Sequence, residues 1–488
     1  MLGLMKTTLV ACISVLIVAA TVAIHSTAAP AAPASPSELL EKGIYNEETK
    51  GDLDSAIAIY QQLIAEANVN QSLAAQAQFR LGQCYLKKNR SAEATAAFEK
   101  LIHDFPNEKD LVAKAREYLP GKFVLGPVPW VDGERLQINM TLPTGADIGT
   151  CEYRADLVQN VNGRKIWRVG ARLMAAGPQS VSSVDADAET FRPLTSHWKH
   201  SMLGEVSATY RTSEVEIKRV GSAQPTTTPI EGTVMDNEEA MYAMRRLPLQ
   251  VGYKTALPII STLGGGNLIS IGLEVLAKET VEVPAGKFGC FKVHLGLVNQ
   301  DFWFSDDAHR YLVKFEAGPV TARLVSIAQR KPGEAVRFHD DELGISFTAP
   351  ADWVIWRAKN GQPEKQELIR MLDPEADTDD AGVRLFASDS LSAGAQTIQS
   401  ARAWAEQDLQ KNKNVKVRPD SWKTYTIDGR QGVGCIVEYT EHSKPRVQFL
   451  VHVLGPKNSE LFVLTCAPEK FDALKVAFDS ILASYRTK

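Results

Sequence analysis

The residues best suited to chemistry are scattered along the chain, and their spacing limits what they can do. His197 and His200 suggest half of a metal site. On a strand, however, residues three apart point to opposite faces, and no third ligand lies near them in sequence. Asp306-Asp307-Ala308-His309 reads as a solvated turn before a strand. Gly264-Gly265-Gly266 lies between apolar strand candidates and lacks the following helix and lysine of a phosphate loop, so it reads as a hairpin turn. The acidic run Asp373, Glu375, Asp377, Asp379, Asp380 invites calcium. It has no glycine at its sixth position and carries Arg384 where an EF-hand needs glutamate, so it reads as a solvated acidic loop. Gly-x-Ser-x-Gly, His-Glu-x-x-His and Cys-x-x-Cys are absent. No catalytic residue, metal ligand or cofactor is assigned. Triads assemble across a fold, so an enzyme, in the first place a hydrolase, stays among the readings.

The elements that would position such residues begin with a leader. In Met1 to Ala28, Lys6 is the only charge, Leu9 to Ile24 is apolar and Ser26-Thr27-Ala28 offers small residues for cleavage. The competing reading is an uncleaved membrane anchor, but the apolar run is short against the about 20 residues a bilayer needs. Residues 29–37 form an Ala/Pro/Ser-rich spacer. The net charge of −4 and the lack of a basic stripe point away from nucleic acid. Five cysteines follow the leader: Cys84, Cys151, Cys290, Cys435 and Cys466. Cys435 and Cys466 sit on candidate strands of one small sheet and form the candidate disulfide; Cys151 and Cys290 are a second, weaker pair.

From residue 38 to 119 the pattern is helical. Leu81-Gly82 is followed by Tyr85, Ala94, Phe98, Leu101 and Pro106, and this spacing resembles the tetratricopeptide repeat, a helix–turn–helix unit of about 34 residues. Ala56, Tyr60 and Leu63 are an earlier copy, with Leu39, Leu40, Gly43 and Ile44 in its first helix. The Gly43 to Ala56 interval is one residue longer than Gly82 to Ala94, which displaces that helix by one. Leu111 to Leu119 reads as a closing helix, and so short an array is expected to lean on the next domain. The resemblance implies a groove lined by the first helix of each repeat. Tyr45, Glu48, Gln76, Phe79, Gln83 and Leu86 are its expected lining. Packing of Phe79 and Leu86 beneath the closing helix is the alternative.

Residues 122–330 alternate as strands do, at Leu136 to Met140, Ile166 to Val169, Val215 to Ile217, Gly272 to Val275, Phe291 to Leu297 and Tyr311 to Phe315, with one helix at Glu238 to Arg246. An antiparallel barrel or strongly curved sheet is expected. The Pro284-Ala285-Gly286 turn, the strand after it and Phe302-Trp303-Phe304 resemble a family of exported bacterial β-domains of unknown function. In residues 335–488, Phe347, Pro350 and Trp353 and a closing amphipathic helix (Phe471, Leu474, Phe478, Ile481, Leu482) resemble the PsbP-like αβα sandwich. That resemblance implies binding or assembly rather than catalysis.

The chain is therefore expected to be multidomain α+β and exported, periplasmic or secreted, touching a membrane only through an uncleaved leader. The leading function is a non-catalytic adaptor that holds envelope or extracellular proteins through its repeats. The alternative is a carrier of a lipid or other hydrophobic ligand in the β-domain. The mature chain is expected to begin near Ala29, which N-terminal sequencing of protein from the native host checks; a mature chain retaining Val15 would mean an anchored protein.

Overall fold

The computed structural model describes residues 35–488 apart from 66–69, 89, 120–124, 161, 176–178, 231, 358–366, 373–381, 389–396, 413, 442 and 456–458. The leader and the acidic run at 373–380 lie outside the described residues.

Five helices open the chain: α1 (Pro36–Ile44), α2 (Leu53–Ala65), α3 (Gln71–Lys87), α4 (Ser91–Asp104) and α5 (Lys109–Tyr118). Ser35 and Glu38 close a capping box at the start of α1, so helix begins inside the expected spacer. The extra residue of the first repeat is absorbed by a π-helical turn, Tyr45–Lys50, ended by Gly51 at φ +68°. The two repeats are otherwise equivalent. A Cβ on Gly43 would stand 2.4 Å from the Tyr60 ring, and one on Gly82 would stand 2.6 Å from Phe98. Each glycine admits the aromatic of the next helix.

The middle of the chain is one open sheet of fifteen strands. Its first eight strands and its last seven each run as neighbours in chain order, and the two runs join where Glu134–Thr141 pairs antiparallel with Val320–Gln329. The sheet is not closed as a barrel; of the two expected forms it is the curved sheet. Its edges, Thr226–Pro229 and Met235–Asp236, approach through side chains instead of a backbone ladder. Tyr210 donates to Asp236 at 2.6 Å and Thr228 to the Gly266 carbonyl at 2.8 Å. Within the hollow lies α6 (Ala240–Arg245), with every residue buried. Arg245 is its anchor: it donates to both Glu134 oxygens (2.6 and 3.1 Å) and to the carbonyls of His309 and Arg310.

The C-terminal part is a sandwich. Helix α7 (Ile398–Gln410) covers one face of an eight-stranded sheet, and α8 (Phe471–Ser484) packs Phe478 and Ile481 on the other. Cys435 and Cys466 stand on strands either side of Lys444–Val453, opposite Leu450 and Val447. Those two residues are an odd number apart, so the thiols face opposite sides of the sheet, and Cys435 lies in the α7-side core and Cys466 in the α8-side core. The expected disulfide is not formed, and Cys151 and Cys290 are likewise buried and not disulfide-bonded.

Both flanking parts rest on the middle sheet. Tyr118 of α5 accepts from Ser270 through its carbonyl at 3.2 Å, and Leu297 joins the core of the repeats. On the other side Met174 packs with Val354, Trp356 and Leu372, and the Trp356 indole donates to Asp147 at 3.0 Å.

Replacing Arg245 by Met would leave the Glu134 carboxylate buried without its partner, at a cost of about 3–5 kcal/mol. The urea midpoint of unfolding should fall accordingly. Adding Glu134→Leu should recover only part of the loss, because the His309 and Arg310 carbonyls stay unpaired.

Candidate functional site

Helix α3 presents one stripe, Gln76, Arg80, Gln83 and Lys87, at spacings of four, three and four. The π-helical turn faces it. Because that turn holds one residue more, it rolls Glu47 inward and leaves Tyr45 outward, 51% exposed. Glu47 accepts from the Tyr60 hydroxyl (2.7 Å), Arg80 (3.0 Å) and Lys87 (2.6 Å). Burial pushes its carboxyl up, but the bonds and charges from Lys87, Tyr60 and Arg80 outweigh this and hold it below its ordinary value. Cys84 beneath it is pushed up to about 12, by burial first and then by the Glu47 charge, and stays a thiol. Glu48 takes a second bond from Arg80 at 2.9 Å. Lys50 lies over the Tyr45 ring, 5.3 Å from its centre.

The six expected groove residues therefore divide. Tyr45 and Glu48 are exposed and Gln76 is partly exposed along the α3 stripe. Gln83 reaches the Tyr118 hydroxyl at 3.5 Å. Phe79 packs between Phe98 (5.7 Å) and Tyr118 (5.8 Å), and Leu86 is 4% exposed. Leu86 is core and Phe79 packs half-buried against it, the alternative to the groove: α5 lies over the second repeat where an open array would present it. Arg80, Lys87 and Glu47 were not expected at the surface turn. Their only sequence signal is the one-residue excess between Gly43 and Ala56.

The other candidates resolve as ordinary structure. His197 pairs with Glu205 at 2.9 Å on one face of its strand, while the buried His200 accepts from the Met202 and Leu203 amides on the other. Asp307 caps its turn by accepting from the His309 and Arg310 amides. Among the described residues no cluster of three or more His, Cys, Asp or Glu side chains could hold a metal ion.

Residues 46–109 match the tetratricopeptide repeat model. Residues 137–325 match a family of proteins of unknown function, DUF3108. No curated protein matches the chain. Among solved structures, the cyanobacterial PsbP protein CyanoP of Synechocystis is 15% identical over 32% of this chain and 94% of its own (TM-score 0.25). LpqN of Mycobacterium tuberculosis, described as involved in cell envelope biogenesis, is 14% identical over 32% and 91% (TM-score 0.25). A Bacteroides fragilis protein with YmcC-like fold is 13% identical over 42% and 100% (TM-score 0.18). Among the described residues no helix is long and apolar enough to cross a membrane.

Because Leu86 is in the repeat core and Phe79 packs against it, the double change Phe79→Ser with Leu86→Ser should cost about 2 kcal/mol or more in total. Circular dichroism should show a loss of helix and not a folded protein with an altered surface.

Proposed function

We propose that this protein is an exported, non-catalytic adaptor whose repeat helices hold a protein partner in the cell envelope. The observation that carries the reading is the surface left open beside α3. There an exposed tyrosine, Tyr45, lies one turn before Glu48, which accepts from Arg80 of the α3 stripe that also carries Gln76. Tyrosine and arginine are the residue types enriched where proteins meet, and a mixed-charge rim gives such a contact its specificity. Export rests on the leader at residues 1–28. The same reading assigns 29–37 as a spacer, 38–119 as the repeat unit, 122–330 as the β-domain and 335–488 as the sandwich.

The test is cross-linking and capture in the native envelope with the full mature chain and with a Tyr45→Ala, Glu48→Lys variant. Exposed ion pairs contribute about 0–1 kcal/mol, so the variant should melt within a few degrees of the parent. It is expected to lose the discrete set of proteins that the parent retains. Retention of that same set would sink the reading.

A further inference from the structure

The hollow of the middle sheet is not filled. Between α6 and the strands opposite it lies a cavity of about 360 Å³. Met241 and Met244 of α6 form one wall; Ile259, Ile269, Ile271 and Phe302 form the other. The volume is at the small end of ligand pockets, which run about 300–1,000 Å³, so it suits a single chain or ring system and not a two-chain lipid.

One carboxyl, that of Glu238, lines this apolar space, and its sequence neighbours Asp236 and Glu239 lie outside the lining. Asp236, Glu238 and Glu239 place three carboxyl groups in four residues just before α6, all of them buried. Asp236 accepts from Tyr210. Glu238 lines the cavity and accepts from the Asn237 amide at 2.7 Å. Both Glu239 oxygens lie buried without a hydrogen-bond partner; the Asp236 amide favours its charge slightly but makes no bond of good geometry. Among the described residues no lysine, arginine or histidine charge acts on any of the three. Burial pushes the Glu238 carboxyl up to about 7; hydrogen bonding from Ser182 opposes this and the Asp236 charge adds to it. Elsewhere in the sheet buried acids are paired, as Glu134 is with Arg245 and Asp156 with Arg135. Carboxyl groups so deeply buried are normally matched by a cation. Here the space beside Glu238 is open, and the carboxyl groups do not converge as metal ligands would.

Leu203 and Leu263 line the cavity from two different hairpins, and Arg219 donates to both of their carbonyls, at 3.5 and 2.8 Å. Gly264 lines it too, and the two glycines after it take φ of +92° and +88°, a conformation that suits few other residues.

We propose that this cavity binds an amphiphile with a protonated amine head, its apolar body between α6 and the facing strands and its ammonium against Glu238. Asn237 would then orient the Glu238 carboxylate, and Leu203 and Leu263 would lie against the apolar body. The site is independent of the repeat surface.

The probes are decylammonium, decanol and decanoate, each below its micelle concentration, titrated into the full mature chain by calorimetry. Native mass spectrometry of the same protein reads any ligand already resident. Decylammonium is expected to bind once per chain and at least tenfold more tightly than decanol, with decanoate not binding. Glu238→Gln should erase the preference for the amine while decanol binding is unchanged. Ile269→Phe, which narrows the apolar part, should weaken both. Circular dichroism confirms that each variant is folded. A variant that fails to fold is replaced by Asn237→Ala, for which a weakened amine preference is again expected. An equal affinity for amine and alcohol overturns the proposal. So does a preference that survives Glu238→Gln, or the absence of binding by all three probes with no resident amphiphile.

Discussion

The interaction on which the middle of the molecule depends is the pair between Arg245 and Glu134. Arg245 is the largest fully buried side chain among the described residues, and it meets four acceptors drawn from two different regions of the sheet. Glu134 begins the strand at which the two runs of strands join, and His309 and Arg310 lie in the turn two strands away. Taking two charges out of water costs several kcal/mol per ion, which attraction offsets only when the remaining donors are also satisfied. The planar guanidinium can do this and a lysine could not: it spans the carboxylate with two nitrogens and still reaches both carbonyls. Trp130 and Tyr242 lie beside it, with ring centres 5.3 and 5.8 Å away. The pair thus fixes α6 inside the hollow, and α6 in turn fixes the width of the cavity beside it.

The repeats were the most legible part of the sequence because their signal is local. Glycine admits an aromatic at a fixed spacing, and both copies, Gly43 with Tyr60 and Gly82 with Phe98, keep that relation. The single residue of excess in the first copy was visible, but not its form. Only the folded chain shows it as a π-helical turn that buries Glu47 and leaves Tyr45 at the surface. For Phe79 the sequence offered two placements, groove or beneath the closing helix, and the second holds because Tyr118, on a helix about 40 residues later, decides it.

The middle sheet was read only in part, for a physical reason. The strand Asp147–Gln159 escaped notice because alternation marks a sheet with one wet face, and here both faces are covered. Its outward residues Glu152, Arg154 and Asp156 are charged yet buried. Arg154 bonds to Glu152 and to Asp352 of the sandwich, and Arg330 closes on Glu152. The chemistry of an interface between parts was written on a strand, and it masked the strand. The two sandwich cysteines failed in the opposite direction. Their strands were correctly placed, but the face each occupies depends on register, which a one-residue shift inverts.

These same contacts explain how two repeats and one helix stand without a third unit. A solenoid end exposes an apolar face that normally needs another repeat or a cap. Here the outer surface of the sheet serves as that cap. Along the strand Asn267–Val283, Ile269 and Ile271 point into the cavity while Ser270, between them, bonds to the end of α5. The strand is therefore the back wall of the hollow and the support of the repeats at once. α5 also lies over the second repeat and encloses Phe79. Docking the array on the sheet thus closes the apolar part of the groove and leaves the polar surface around Tyr45 open. The stability of so short an array and the position of its exposed face have one cause.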